Sequence, residues 1–224
     1  MHYPWAELNF WKSGEFQVVR ERINDLLAKG VSVNPDRKAW FSALARTPRA
    51  STKVVLLGQD PYPNKAFATG YAYSVPETIP IAQCPPTLLN IFKEYGDDLG
   101  YPAPTSGNLL AWADRGVLLW NTIPTCTTGK SLSHDWGEWT YLTKEIFEKL
   151  NPQGVVYVLM GSKAAAYDRY IDDTTSKVVY TSHPSPLAYM HGRMPKNSFL
   201  GSRMFTTVNT KLHELGKEPI DWRM

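Results

Sequence analysis

The sequence predicts an α/β fold, a three-layer α/β/α sandwich with a central four-stranded parallel sheet. Short aliphatic runs, separated by segments whose apolar residues recur at helical spacing, carry this prediction. The runs are too uniformly apolar to alternate between a wet face and a dry face, so we expect helices to cover both faces of the sheet. The predicted strands span residues 53–57, 117–120, 155–160 and 177–181.

Helices are predicted before and between these strands. Apolar residues recur at helical spacing over residues 15–29, and Gly30 follows as a stop signal. Asn34-Pro35 has the form of an N-cap followed by a first helical position, which predicts a short helix to about residue 44. Further helices are predicted over residues 88–100, 108–115, 141–150, 163–171 and 201–215.

Length and composition limit the class of protein. The chain has 224 residues, of which 43% are hydrophobic, and this fits a single domain over residues 1–224. Its formal net charge of +3 permits a nucleic-acid partner without arguing for one. Two cysteines are too few for a disulfide framework or a four-cysteine metal site, so we expect two reduced thiols.

The N-terminal sequence and the hydropathy pattern bear on location. The first sixteen residues lack both a basic region and an apolar region of the kind found in signal peptides, so we expect no secretion signal. No apolar run approaches the roughly 18 residues that a membrane-spanning helix requires. The sequence therefore predicts a cytoplasmic protein that does not bind a membrane.

Polar residues follow each predicted strand at the point where it ends. GQDPY follows the first strand, WNT closes the second, GS follows the third and SHPSPL follows the fourth. Ligands of open α/β sheets bind in the crevice outside the carboxyl ends of the strands. We therefore expect Asp60, Asn121 and His183 to converge on one crevice.

The chemistry of this crevice stays open on the residues alone. A carboxylate, a carboxamide and an imidazole suit hydrolysis or group transfer, but no GxSxG motif is present. Asp60 and His183 are too few for a metal site, no HExxH pairing occurs, and no GxGxxG or GxxxxGK[ST] motif indicates a nucleotide cofactor. Each polar residue, taken singly, could also be an ordinary turn or cap residue.

Four motifs, GQDPY, LLWNT, LMGS and HPSPL, resemble in identity and order those of family 1 uracil-DNA glycosylases. The resemblance covers about residues 53–222, includes PPTLLN and KEPIDW, and leaves residues 1–50 as an N-terminal helical region. It implies a monofunctional base-excision repair enzyme that flips uracil out of single- or double-stranded DNA and hydrolyses its N-glycosidic bond, leaving an abasic site. It implies no metal and no cofactor.

The resemblance also implies partners and residue roles. Uracil-containing DNA is the expected partner, proteinaceous inhibitors of the family are a further one, and a monomer is expected. Asp60 and His183 match the catalytic residues, the first beside the water and the cationic sugar, the second donating to uracil O2. Substrate-binding roles fall on Gln59 (through its backbone N–H), Tyr62, Tyr73 and Asn121. DNA-binding roles fall on Pro85, Pro86, Thr87, Gly161, Ser162, Ser185 and the wedge residue Leu187. His134 matches a family histidine that would support the pocket indirectly.

The chain departs from the family pattern in three places. After GQDPY it reads PNKAFATG, where the family has a histidine and a glycine-rich segment. Tyr73 replaces a phenylalanine, and its hydroxyl needs a hydrogen-bond partner. The segment after HPSPL is longer, with Ala188 in place of a serine, and we hypothesise that it meets DNA through Arg193; a solvated loop enlargement is the alternative.

These departures leave two other functions open. One is a non-catalytic member of the same fold that serves as a DNA-binding or replication scaffold. The other is a glycosylase that prefers a different base. The presence of Asp60, Asn121 and His183 argues against the scaffold, and Tyr62 with Asn121 argues for uracil as the base.

Overall fold

The computed structural model describes residues 5–186 and 198–224. Within this part, the strands are β1 (Val33–Asn34), β2 (Val54–Gly58), β3 (Val117–Asn121), β4 (Cys126–Thr127), β5 (Val156–Met160) and β6 (Lys177–Thr181). The helices are α1 (Glu15–Ala28), α2 (Ser42–Arg46), α3 (Pro86–Leu99), α4 (Leu110–Asp114), α5 (Gly137–Leu150), α6 (Ser162–Ala165) and α7 (Met204–Glu214).

The long strands form one parallel sheet in the order β3-β2-β5-β6, and helices cover both of its faces. Alternate residues of β2 point into opposite layers, as a pleated strand requires. Val54 and Leu56 pack with residues of α3, α4 and α7, whereas Val55 and Leu57 pack with residues of α1, α2 and α5. The predicted three-layer sandwich with a four-stranded parallel sheet is therefore confirmed.

The region after α1 differs from the prediction of a helix that begins at Asn34. Asn34 instead closes β1, which pairs antiparallel with β4, and the Asn34–Pro35 peptide bond is cis. The next α-helix begins only at Ser42. The physical reason is that the Asn34 side chain bonds to a distant loop, so it is not available to cap a helix.

Each of the remaining predicted helices is present, but its ends differ from the predicted ones. The helix predicted over 163–171 stops at Ala165, and a 3-10 turn (Asp168–Tyr170) follows it. Helix α5 begins at Gly137, four residues earlier than predicted. None of the helices in the described part is both long enough and apolar enough to cross a membrane.

A buried carboxylate ties the N-terminal segment to the helical layer. Glu145 of α5 is only 5% exposed, and its two oxygens accept hydrogen bonds from the backbone N–H groups of Asn9 (2.6 Å) and Phe10 (2.9 Å). The Phe10 ring stacks against Trp139 of the same helix, with ring centroids 5.9 Å apart. The segment before α1 is thus held by charge-assisted bonds as well as by aromatic packing.

We expect Glu145→Ala to lower the free energy of unfolding by about 3 kcal/mol, because two backbone N–H groups lose a charged acceptor in a buried place. Glu148→Ala is the matched control, since Glu148 lies on the same helix, is exposed and reaches only Lys144, at 3.5 Å. That control should change stability by less than about 0.5 kcal/mol. Urea unfolding followed by circular dichroism measures both variants, and equal losses would contradict this account.

Candidate active site

The strand ends and the loops that follow them enclose a cavity of about 240 Å³. Its wall is formed by residues from the ends of β2 and β3, from the loop between β2 and α3, from the first turn of α3, from the turn after β4 (Ser131) and from the segment after β6. The structure brings together here the predicted site residues Gln59, Asp60, Tyr62, Tyr73, Thr87, Asn121 and His183.

The other predicted site residues that the structure describes lie outside the cavity wall. Two pairs stand at helix starts. These pairs are Pro85 with Pro86, at α3, and Gly161 with Ser162, at α6. Ser185 lies two residues after His183, whereas Leu187, Ala188 and Arg193 lie outside the described residues.

The Asn121 amide is placed by a close approach of two parallel strands. The sheet register pairs Asn121 with Gly58, and a Cβ atom at Gly58 would lie 2.3 Å from Asn121 Oδ1. Asn121 is 7% exposed, and no residue of the described part bonds to its side-chain amide. Its donor and acceptor are therefore available to a ligand in the cavity.

The Asp60 carboxylate is held on one side only. Its Oδ2 accepts hydrogen bonds from the Ser131 hydroxyl and the Leu132 backbone N–H, each 2.7 Å long. Burial raises the pKa of Asp60, and these two bonds act in the opposite direction by stabilising the ionised form. Sequence reasoning missed both donors, because they come from a loop 71 and 72 residues further along the chain.

The His183 imidazole is held in one tautomer. Its Nδ1 accepts a hydrogen bond from the Ser185 backbone N–H at 3.1 Å, so the neutral ring carries its proton on Nε2. Burial lowers the pKa of His183, which keeps the ring neutral at pH 7. Asn90 of α3 fixes the same segment by donating to the Pro184 carbonyl at 2.7 Å.

The close packing of His183 requires a glycine at position 161. Gly161 has φ +86°, and a Cβ atom there would lie 2.9 Å from His183 Cβ. The residue that opens α6 therefore lets the histidine segment pack closely against the end of β5. This contact gives the LMGS motif a role in placing His183.

Two tyrosines form a hydrogen-bonded pair in the wall of the cavity. The Tyr62 hydroxyl donates to the Tyr73 carbonyl at 2.9 Å, and the Tyr73 hydroxyl donates to the Leu57 carbonyl at 3.0 Å. The structure thus supplies the partner that the Tyr73 hydroxyl needs. Tyr73 also has φ +64°, a strained backbone conformation for a residue other than glycine. Burial raises the pKa of both phenols, so both remain protonated donors.

The altered segment PNKAFATG is built into the cavity wall. Asn34 donates to the carbonyls of Tyr62 (3.2 Å) and Pro63 (2.8 Å), which fixes the start of the segment. Phe67 packs edge-on against the Tyr62 ring, with centroids 6.0 Å apart. Sequence reasoning missed Asn34, whose position before a proline gives it a local interpretation as a helix cap.

His134 anchors the loop that carries Ser131 and Leu132. The ring is fully buried, with Nδ1 2.9 Å from Thr125 Oγ1 and Nε2 3.2 Å from Thr127 Oγ1. It stacks on Trp136 with centroids 4.4 Å apart. Burial lowers the pKa of His134 to about 4. This histidine therefore acts on the site through the loop rather than by direct contact with the cavity.

Neither metal-binding side chains nor thiols gather at the site. Within residues 5–186 and 198–224, no group of three or more histidine, cysteine or acidic side chains could hold a metal ion. Cys84 and Cys126 are free and buried. Burial raises the pKa of Cys126 to about 12, so its thiol stays protonated beside Asp60.

Comparison with known proteins decides the family. Residues 45–213 match the family model described as the uracil DNA glycosylase superfamily. The chain belongs to this superfamily. A uracil-DNA glycosylase of Coxiella burnetii is 40% identical, with 98% of this chain and 96% of that protein aligned. A uracil-DNA glycosylase of Enterococcus faecalis is 42% identical, with 100% of this chain and 96% of that protein aligned.

Solved structures of the superfamily share this fold. The mimivirus uracil-DNA glycosylase superposes with a TM-score of 0.84 at 25% identity, covering 96% of this chain and 85% of that chain. A variant of the mimivirus protein in complex with UGI gives the same TM-score, 0.84, at 26% identity, covering 96% of this chain and 87% of that chain. These matches confirm the family that the four short motifs predict.

We expect the free energy of unfolding to fall by about 2 kcal/mol between pH 7 and pH 5 because of His134. Its folded pKa of about 4 lies below the ordinary value of 6.5, so the stability that the neutral ring contributes above pH 6.5 is lost as the pH falls toward 4. His134→Gln should remove this part of the pH dependence, measured by urea unfolding at pH 5, 6 and 7.

His213→Gln provides the control, because His213 is an exposed histidine on α7. This variant should keep the pH dependence of the wild type. A His134→Gln protein whose stability falls with pH as steeply as that of the wild type would contradict the assignment.

Proposed function

We propose that this chain is a uracil-DNA glycosylase of base-excision repair, which hydrolyses the N-glycosidic bond of uracil in DNA and leaves an abasic site. The observation that carries the proposal is a single cavity in which the Asp60 carboxylate, the Asn121 amide and the neutral His183 imidazole meet. Membership of the superfamily, with relatives about 40% identical over nearly the whole chain, supports it.

Base recognition falls to Asn121 and the two tyrosines. The Asn121 amide can donate to uracil O4 and accept from N3–H, whereas cytosine presents a donor where uracil presents O4. Tyr62 would lie against C5 and exclude the methyl group of thymine. Tyr73 would stack on the face of the base, with its ring held by the bond to the Leu57 carbonyl.

The departing base receives its hydrogen bonds from His183 and Gln59. As the glycosidic bond breaks, negative charge develops on uracil O2, and a preorganised donor lowers the energy of that state. His183 Nε2–H is such a donor, because the bond at Nδ1 leaves Nε2 protonated. The backbone N–H of Gln59 has no acceptor in the described part of the chain and lies in the same wall.

Asp60 acts on the sugar and the water. The transition state resembles an oxocarbenium ion, and a fixed anion close to it is stabilising. Both hydrogen bonds to Asp60 end on Oδ2, so Oδ1 is left without a partner among the described residues and can accept from the attacking water. The reaction as proposed uses neither a metal nor a cofactor.

The DNA must deliver its base to this cavity in a flipped-out state. We propose that the segments at Pro85–Thr87, Gly161–Ser162 and Ser185 contact phosphates through small hydroxyl groups and backbone N–H groups. Leu187 would fill the gap left by the base, and Arg193 would add a contact; both roles rest on the sequence. Binding of UGI, a monomeric state and a cytoplasmic location are further parts of the proposal.

The non-catalytic scaffold is not favoured. The segment PNKAFATG, which kept that alternative open, contributes Pro63, Ala68, Thr69 and Gly70 to the cavity wall. Phe67 of the same segment supports Tyr62. The departure from the family pattern therefore forms part of the pocket, and the three polar groups are all retained.

The proposal is tested with an end-labelled oligonucleotide that carries one uracil, incubated with the protein in EDTA and then treated with hot alkali. A nick at uracil, absent with a thymine oligonucleotide and strongly reduced in Asp60→Asn, is the expected result. Intact strands together with measurable DNA binding would refute the enzyme and favour the scaffold.

Two substitutions should relax the choice of base. Asn121→Asp should release cytosine and lose roughly 100-fold of its activity on uracil, because a carboxylate accepts from the cytosine amino group. Tyr62→Ala should release thymine, because the space at C5 opens. Tyr62→Phe is the matched control, since it keeps the ring and removes only the bond to the Tyr73 carbonyl. Strict uracil selectivity in both Asn121→Asp and Tyr62→Ala would show that the pocket is wrongly assigned.

A further inference from the structure

The turn that follows β4 contacts the Asp60 carboxylate, which lies just beyond the end of β2. Residues 131–134 form this turn, and the Ser131 hydroxyl donates to Asp60 Oδ2 at 2.7 Å. The adjacent Leu132 N–H donates to the same oxygen at 2.7 Å. Two donors, one from a side chain and one from the backbone, thus bond to one oxygen of the Asp60 carboxylate, and hydrogen bonds to an ionised acceptor are stronger than those between neutral groups.

The turn is rigid enough to impose a position on the carboxylate. Leu132 has φ +60°, and a residue with a side chain keeps such a conformation only where its surroundings enforce it. The Ser133 hydroxyl accepts from the Thr127 N–H at 2.7 Å and donates to the Lys130 carbonyl at 2.8 Å. The buried ring of His134 then fixes the end of the turn between two threonine hydroxyls.

Asp60 has no other side-chain donor in the described part of the chain. The segment that follows it begins with Pro61, which has no N–H, and no side chain of residues 63–70 bonds to the carboxylate. None of the other titratable groups described near Asp60 stabilises its ionised form as the Ser131 hydroxyl does. Asp135 raises the pKa of Asp60, Cys126 is a protonated thiol, and His183 in the same cavity is neutral.

We propose that Ser131 is a positioning residue for the reaction: its hydroxyl fixes Asp60 Oδ2, turns Oδ1 toward the cavity and keeps the carboxylate ionised. This inference rests on the proposed function, because it concerns how Asp60 performs its role. It follows from a contact between residues 71 positions apart, which no motif in the sequence indicates.

The chain offers matched variants for a test. Ser131→Ala removes the donor, and Ser131→Thr keeps it, with room for the added methyl group because Ser131 is exposed. Ser133→Ala removes a hydroxyl of the same size from the same turn, but that hydroxyl bonds only to backbone groups. A purely structural effect of the turn would appear in both alanine variants, whereas an effect on Asp60 would appear only in Ser131→Ala.

The first measurement is the pKa of Asp60, by carbon NMR titration of its carboxyl signal, which is assigned from its loss in Asp60→Asn. Ser131→Ala should raise this pKa by about one unit, since one bond to the ionised form is lost. Ser131→Thr and Ser133→Ala should keep the wild-type value. If Ser131→Ala does not fold, Ser131→Cys is measured in its place. The thiol is a weaker donor than the hydroxyl, so the pKa of Asp60 should rise by less than about one unit.

The second measurement is the pH profile of uracil release. Ser131→Ala should lower kcat roughly tenfold at neutral pH, leave KM unchanged and move the acid limb of the profile upward by about one unit. An unchanged Asp60 pKa in Ser131→Ala, or the same change in Ser133→Ala, would overturn the inference. A wild-type protein that releases no uracil would refute the proposed function instead, and the titration would still decide whether Ser131 controls Asp60.

Discussion

The close approach of β2 and β3 at their carboxyl ends is the constraint on which the site depends. Gly58 and Asn121 are paired in the parallel register, and there is no space between them for a side chain at residue 58. Beyond the strands, the backbone pairing continues from the Thr122 N–H to the Gly58 carbonyl at 3.0 Å and from the Ile123 N–H to the Gln59 carbonyl at 2.9 Å. The amide is therefore placed by the sheet itself, and the loop that begins at Gln59 starts from a fixed point.

Around this fixed point, burial acts in opposite directions on the two titratable groups. It raises the pKa of Asp60 and lowers the pKa of His183, because both changes favour the neutral form. Donors from the turn at residues 131–132 counteract the effect of burial on the pKa of Asp60, while His183 is left neutral with its proton on Nε2. The result is an anion and a neutral donor in one crevice, as hydrolysis through a cationic sugar and an anionic base requires.

The sequence predicted what depends on local pattern. The four strands are apolar runs with clear ends, and polar residues at those ends predicted the crevice because parallel strands share one edge. Contacts between distant residues could not be predicted in this way. Asn-Pro is a local signal that predicts a helix start at Asn34, whereas the Asn34 amide donates to the carbonyls of residues 62 and 63. Ser131 and the tautomer of His183 likewise depend on partners that only the fold brings near.

The measurement that tests the central claim most directly is a crystal structure of this protein grown with free uracil, the proposed product. The account predicts uracil in the cavity at the strand ends, with O2 within hydrogen-bonding distance of His183 Nε2 and of the Gln59 N–H, and with O4 and N3 on the Asn121 amide. Uracil bound elsewhere, or bound in this cavity with no contact to Asn121 and His183, would contradict the account.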